Sequence, residues 1–170
     1  MEHRTHLMKM IDKFSIQSVE ELKEIENKIM VDSKFRTIAK KKDYLGHVEK
    51  IRKVKNRAQK INPKAVEIPD DDIQAANLLS AFEKCLLGFS AVCDNYIQME
   101  LILQDKAEGA KISYGDYKES FNKVKSSREE FNNQLRDMDI LYSDLVEYAE
   151  DINDSEDFGG IQYKTYDDLK

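Results

Sequence analysis

Between Tyr117 and Ile152 the chain steps four and three residues alternately through Tyr117, Phe121, Val124, Arg128, Phe131, Leu135, Met138, Tyr142, Leu145, Ala149 and Ile152. Five heptads hold, with Arg128 as the one polar interruption. A mean spacing of 3.5 residues keeps one narrow stripe of side chains turned toward a neighbouring helix, which is the condition for knobs-into-holes packing. The spacing predicts one long helix, roughly 50 Å from end to end at 1.5 Å per residue. A rod of this kind cannot bury its own stripe, so the chain must fold as helices lying side by side. Heptads serve scaffolds, regulators and secretion substrates alike, and they define an architecture without naming an activity.

At 170 residues, 35% of them charged, with six glycines and two prolines, the chain is large enough for one domain with its own core, and its composition favours helix over sheet. The expected fold is all-α, an elongated antiparallel bundle of three to four long helices over 1–153, followed by an acidic, polar tail over 154–170. The formal charge of −6 is unevenly spread: Lys34 to Lys64 holds twelve Lys and Arg against Asp43 and Glu49, a local +10, which leaves −16 elsewhere. Cys85 and Cys93 lie eight residues apart on one predicted helix, about 12 Å between Cα atoms, beyond the reach of a bridge. Two buried thiols in a reducing compartment are expected. No apolar stretch of signal-peptide length opens the chain, and Glu83, Lys84, Asp94 and Glu100 interrupt the most apolar region, so no transmembrane span is expected and the location is read as cytoplasmic.

Leu7, Met10, Ile11 and Phe14 share one face of a short opening helix that Ser15 to Ser18 is expected to interrupt. Ser18 and Glu21 read as a capping box for a second helix carrying Val19, Leu22, Ile25 and Ile29. Asp32 and Ser33 either cap a third helix or lie within one continuous helix from 18 to 62. In the basic stretch, Phe35, Ile38, Leu45 and Val48 cluster opposite Ile51, Val54, Ala58 and Ile61, and the change of side near Gly46 predicts a kink there. Asn62-Pro63 ends that segment. Pro69 and Asp70 to Asp72 start the next helix. From Leu78 to Leu103 its apolar residues surround the axis, marking a central helix that ends at Gly109, with Ser113 to Gly115 turning into the heptad helix.

Chemistry is sparse. His3, His6 and His47 are the only histidines, and Asp43 with His47 offers two ligands at i to i+4 with no second pair to complete a metal site. Glu-x-x-His pairs, phosphate-binding glycine loops, a serine elbow and a Cys–His combination are missing. No catalytic residue, metal or cofactor is assigned, no small-molecule substrate is expected, and outer surfaces rather than a pocket are taken as the working parts.

Three surfaces stand out. Arg128 in the seam either selects register, anchors an acidic partner, or snorkels from the bundle edge. Ile140, Leu141, Val146 and Tyr148 widen the seam in the second half of the last helix and form a candidate site for a protein partner or a homodimer. Lys53, Arg57, Lys60 and Lys64 recur at four, three and four residues on one helix face, with Lys50, Arg52 and Lys55 at its margins. That face is a candidate for nucleic acid or an acidic membrane surface, against the plainer expectation that it meets acidic residues of the last helix such as Glu129, Glu130, Asp137 and Asp144. In the tail, Tyr163 and Asp167 fit the short Tyr-x-x-x-Asp pattern seen after helical hairpins in bacterial secretion substrates, and Tyr166 to Leu169 fits Tyr-x-x-Leu. The hairpin turn here is Tyr114-Gly115, where those proteins use Trp-x-Gly. The residues together predict a non-enzymatic interaction or assembly module, with anionic-polymer binding or secretion as alternatives.

Overall fold

The computed structural model describes residues 2–34 and 43–156, with side chains over 2–30 and 43–147. Phe35 and Ile38, the tail motifs at Tyr163, Asp167 and Leu169, and the side chains of Tyr148, Ala149 and Ile152 lie outside what is described. Five α-helices follow one another among the described residues: α1 (Glu2–Phe14), α2 (Glu20–Lys34), α3 (Tyr44–Gln59), α4 (Ile73–Ala107) and α5 (Tyr114–Glu156), with no strand among those residues.

Side-chain pairings give the topology. Going up α1 and α2, Arg4 meets Asp72, Phe14 meets Phe82 and Phe89, and Glu26 meets Tyr96, so this rod runs parallel to α4. Phe89 meets Phe131 and Asn95 meets Ser127, so α5 runs antiparallel to α4. His47 faces Glu100 and Lys55 faces Asp94, so α3 is antiparallel to α4 as well. The result is an up–down–up–down bundle of four rods, in agreement with the expected all-α bundle.

The first rod is not interrupted at Ser15. A π-helical turn, Ser15–Val19, carries α1 straight into α2. Ser18 is buried there and makes no cap, so the expected capping box is absent. The wider turn takes up its extra residue locally and leaves Leu7, Ile11 and Phe14 on the same buried side of the rod as Leu22 and Ile25, with Ser18 and Val19 both buried at the crossing. Widening the turn also shifts the hydrogen-bond register, and the Gln17 carbonyl accepts from Arg57 Nη1 at 3.1 Å. Asp32 and Ser33 lie inside α2, whose helix runs through Lys34.

The predicted kink at Gly46 is a helix start. Asp43 is the N-cap of α3, its carboxylate accepting from the Gly46 N–H at 3.0 Å. A Cβ on Gly46 would stand 2.1 Å from Asp43 Oδ2, so glycine makes room for the cap. Leu45 therefore belongs to a first turn and not to a continuing apolar face. Asp72 caps α4 by accepting from the Ala75 N–H. At the other end, Gly109 (φ +98°) follows the last turn, with its N–H on the Lys106 carbonyl and the Ala110 N–H on that of Asp105, a Schellman closure that needs the left-handed residue. Ser113 and Asp116 then cap α5 reciprocally, each side chain taking the other's N–H.

The heptad segment lies within a single unbroken helix, α5. Its two stripe positions differ: Val124, Phe131, Met138 and Leu145, seven apart, are buried, while Arg128, Leu135 and Tyr142 are half-buried at the bundle edge. α4 carries the centre of the core in Leu78, Phe82, Cys85, Phe89, Val92 and Cys93. Its outer stripe through Lys84, Leu87, Ala91 and Asp94 stays exposed, while its other sides are covered. By length and composition alone α4 is also apolar enough to cross a membrane, while its apolar side packs here on the other rods.

Candidate functional site

Four helix ends meet at one end of the bundle: the last turns of α2 and α4 and the first turns of α3 and α5. Between them lies a cavity of about 720 Å³. Its apolar walls come from Ile29 and Met30 of α2, Met99 and Leu103 of α4, and Val124 of α5, and its aromatic walls from Tyr44, Tyr96, Tyr114, Tyr117 and Phe121. The Tyr117 and Phe121 rings, one turn apart on α5, have centroids 6.4 Å apart. The sequence reading takes outer surfaces rather than a pocket as the working parts, and among the described residues this end of the bundle is concave.

Polar groups converge on the same cavity. Glu100 is 1% exposed, and its Oε1 lies 3.5 Å from Nδ1 of His47, itself buried in the first turns of α3. Glu26 of α2 accepts from the Tyr96 hydroxyl at 2.7 Å and pairs with Arg128 Nη2 at 2.9 Å, while the Arg128 guanidinium stacks over Phe131 at 5.4 Å. Burial, together with the Glu26 carboxylate beside it, pushes the Tyr96 hydroxyl far above an ordinary phenol, so it stays a donor. Carboxylates this deep persist because each has a polar or basic partner.

These pairings place several of the sequence candidates. Asp43 is a cap and His47 faces Glu100, so the two do not form a ligand pair. Arg128 sits at the bundle edge, where it pairs with Glu26. Arg57 is occupied with Gln17 and Glu21. His3 lies on Asp72 at 2.7 Å. Lys50, Arg52, Lys60 and Lys64 are exposed and make no ion pair among the described residues, and Lys53 pairs with Glu49 one turn away. Among the described residues the cross-helix ion pairs of the lysines and arginines of α3 run from Arg57 to Glu21 and from Lys55 to Asp94. In the widened seam, Leu141 joins the core, Val146 is half-buried, and Ile140 is 55% exposed among Arg136, Asp137 and Asp144. Burial raises the thiols of Cys85 and Cys93 to about 12, which makes both poor nucleophiles. No group of three metal-ligating side chains occurs among the described residues.

Glu100, Glu26 and Tyr96 were not anticipated as a unit. Their signal was present in part, since Glu100 shares a helical face with the apolar positions Val92, Cys93 and Tyr96, where a buried carboxylate is costly without a partner. Glu26 and Tyr96 are 70 residues apart in the chain, and no local pattern connects them. Compared with protein-family models, curated proteins and solved structures, the chain matches none.

Proposed function

We propose that the protein is a non-catalytic helical interaction module that takes apolar side chains of a partner protein into the cavity at the end of the bundle. The observation that carries this reading is convergence: Met30 (55% exposed), Tyr114 (74%) and Phe121 (47%) all border the same concavity. Single exposed apolar residues are ordinary, and a cluster around a hollow is not. A space of this volume suits two or three anchors spaced i, i+3 or i+4 on a partner helix. The described lining supplies no serine, threonine or cysteine, and its acids are engaged with neighbours, which favours holding over group transfer. To test it, the tagged full-length chain is expressed in its native cells and its co-purifying proteins are identified by mass spectrometry. Phe121→Glu and Tyr114→Glu should remove partners that Ile140→Glu retains, and an unchanged set of partners in Phe121→Glu would rule the reading out.

A second reading is favoured by the outer face of α3, where Lys50, Arg52, Lys53 and Lys60 are exposed on the side away from the buried Val48, Ile51, Val54 and Ala58, with Lys64 just beyond. An anionic polymer, nucleic acid or acidic lipid, would meet that face, and its affinity would fall steeply with added salt. Arg52→Glu, Lys53→Glu and Lys60→Glu together should abolish such binding. Arg57 is left out of this set because its loss would release the Gln17 carbonyl in the π-helical turn. Absence of binding by the wild type at low salt ends this reading.

A further inference from the structure

The exposed charge of this bundle is sorted between two of its helices. From Glu129 to Glu147 the exposed side chains of α5 include the acids Glu129, Glu130, Asp137, Asp139, Asp144 and Glu147, against the single base Arg136. None of these acids enters an ion pair among the described residues. On the outer face of α3, Lys50, Arg52 and Lys60 are likewise exposed and unpaired among the described residues, and Lys53 meets Glu49 of its own helix, with both side chains 70% exposed. The two faces lie on opposite flanks of the bundle. On α4, Asp94 turns to Lys55 of α3, while the next residue, Asn95, turns to Ser127 of α5. On the first rod, Glu21 turns to Arg57 of α3, and Glu26 and Asp12 turn to Arg128 and Tyr142 of α5. One copy therefore cannot bring its own basic and acidic outer faces together, and a second copy meets no such obstacle. The rows also share a spacing. Glu130, Asp137 and Asp144 recur every seven residues, as do Lys53 and Lys60, which sets like-facing side chains about 10.5 Å apart on each helix. Helices laid side by side bring such rows into register.

We propose that the protein associates with copies of itself, the basic outer face of α3 on one copy seating against the acidic outer face of α5 on the next. Charge complementarity between the two faces carries the choice of occupant. The net charge of −6 opposes association at long range. At about 0.1 M salt, however, charges act over only about 10 Å, so the facing rows outweigh the remainder. The two faces are different patches on opposite flanks, so the contact is head-to-tail. Every bound copy still offers one free face of each sign, and assembly continues past a dimer. Single surface pairs contribute little, so the association is weak and depends on several pairs acting together. Self-association of this kind does not involve the end cavity, and it gives the α3 face a different occupant from the anionic polymer of the second reading.

Sedimentation velocity on the full chain, freed of nucleic acid, tests this with two triple charge reversals. One carries Lys50→Glu, Lys53→Glu and Lys60→Glu on α3, and the other Glu130→Lys, Asp137→Lys and Asp144→Lys on α5. The wild type in about 0.1 M salt should form species larger than a dimer as its concentration rises to about 0.5 mM, and about 1 M salt should return it to monomer. Each triple variant alone should associate at least about tenfold more weakly. Mixing the two should restore association, because the native α5 face of the first meets the native α3 face of the second and the reversed faces match as well. Phe121→Glu, at the end cavity, should associate like the wild type. A wild type that stays monomeric in about 0.1 M salt, or association that survives about 1 M salt, overturns the proposal. Variants that do not recover on mixing, or association lost in Phe121→Glu, overturn it too. Loss confined to the α3 variant also overturns it and leaves that face to an anionic polymer.

Discussion

At the scale of single residues, Asp72 makes three contacts at once. It caps α4, receives Arg4 through Nε and Nη2, both at 2.7 Å, and meets His3 at the same distance. The Arg4 guanidinium, foremost among these, holds the Asp72 carboxyl well below the usual carboxylate range, against the opposing effect of burial. A carboxyl depressed on folding contributes stability above its unfolded value, and that contribution is lost as pH falls through the range below it. Stability measured by denaturant titration should therefore decline below about pH 4, and Asp72→Asn should flatten that decline. Arg4→Ala should cost about 1–2 kcal/mol at neutral pH, because it leaves a part-buried carboxylate short of its main partner.

At the scale of elements, the π-helical turn is the feature that lets α1 and α2 act as one rod. Ile16 lies in that turn and is 71% exposed, so its side chain adds little to the core, and Ile16→Ala should stay within about 0.5 kcal/mol of wild type. Because the turn holds one residue more than an α-helical turn, deleting Ile16 should let it close to regular helix with both flanking faces still buried. Deleting the exposed Lys9 from the regular helix α1 is different, since the residues before it rotate by about 100° and Arg4 and Leu7 leave their partners. In urea unfolding the Lys9 deletion should cost more than about 3 kcal/mol and the Ile16 deletion less than half as much. Equal losses in the two deletions would show that the wide turn does not absorb a residue. The helix boundaries themselves were largely legible: Pro69 to Asp72, Gly109, Ser113 and Asn62-Pro63 all mark real ends. Ser18 misled because a buried serine and a capping serine look alike in one dimension, and Gly46 misled because a glycine three residues beyond a cap resembles a kink in a continuous helix.

For the whole molecule, four phenylalanines tie the rods together. Phe89 of α4 meets Phe14 of the first rod at 5.4 Å and Phe131 of α5 at 5.8 Å, and Phe14 also meets Phe82 at 5.6 Å, all edge to face. Such pairs add about 1 kcal/mol to the burial of the rings. Phe89→Ala should destabilise the protein by about 4 kcal/mol. Phe121→Ala, at the half-open cavity, should cost far less in thermal unfolding and act on binding instead. A Phe121→Ala variant as unstable as Phe89→Ala would mean that the cavity end belongs to the core.

The sequence by itself determined the long rods, most of their caps and the buried stripe of α5, because periodicity and capping depend on neighbours within a turn or two. Packing alone decided that Arg4 reaches Asp72, that Glu26 joins Tyr96 to Arg128, and that His47 stands beside Glu100. Contacts between residues so distant in the chain exist only once the rods have chosen their partners and their direction. The cavity is the furthest removed from any local signal, since its described lining comes from four different helices.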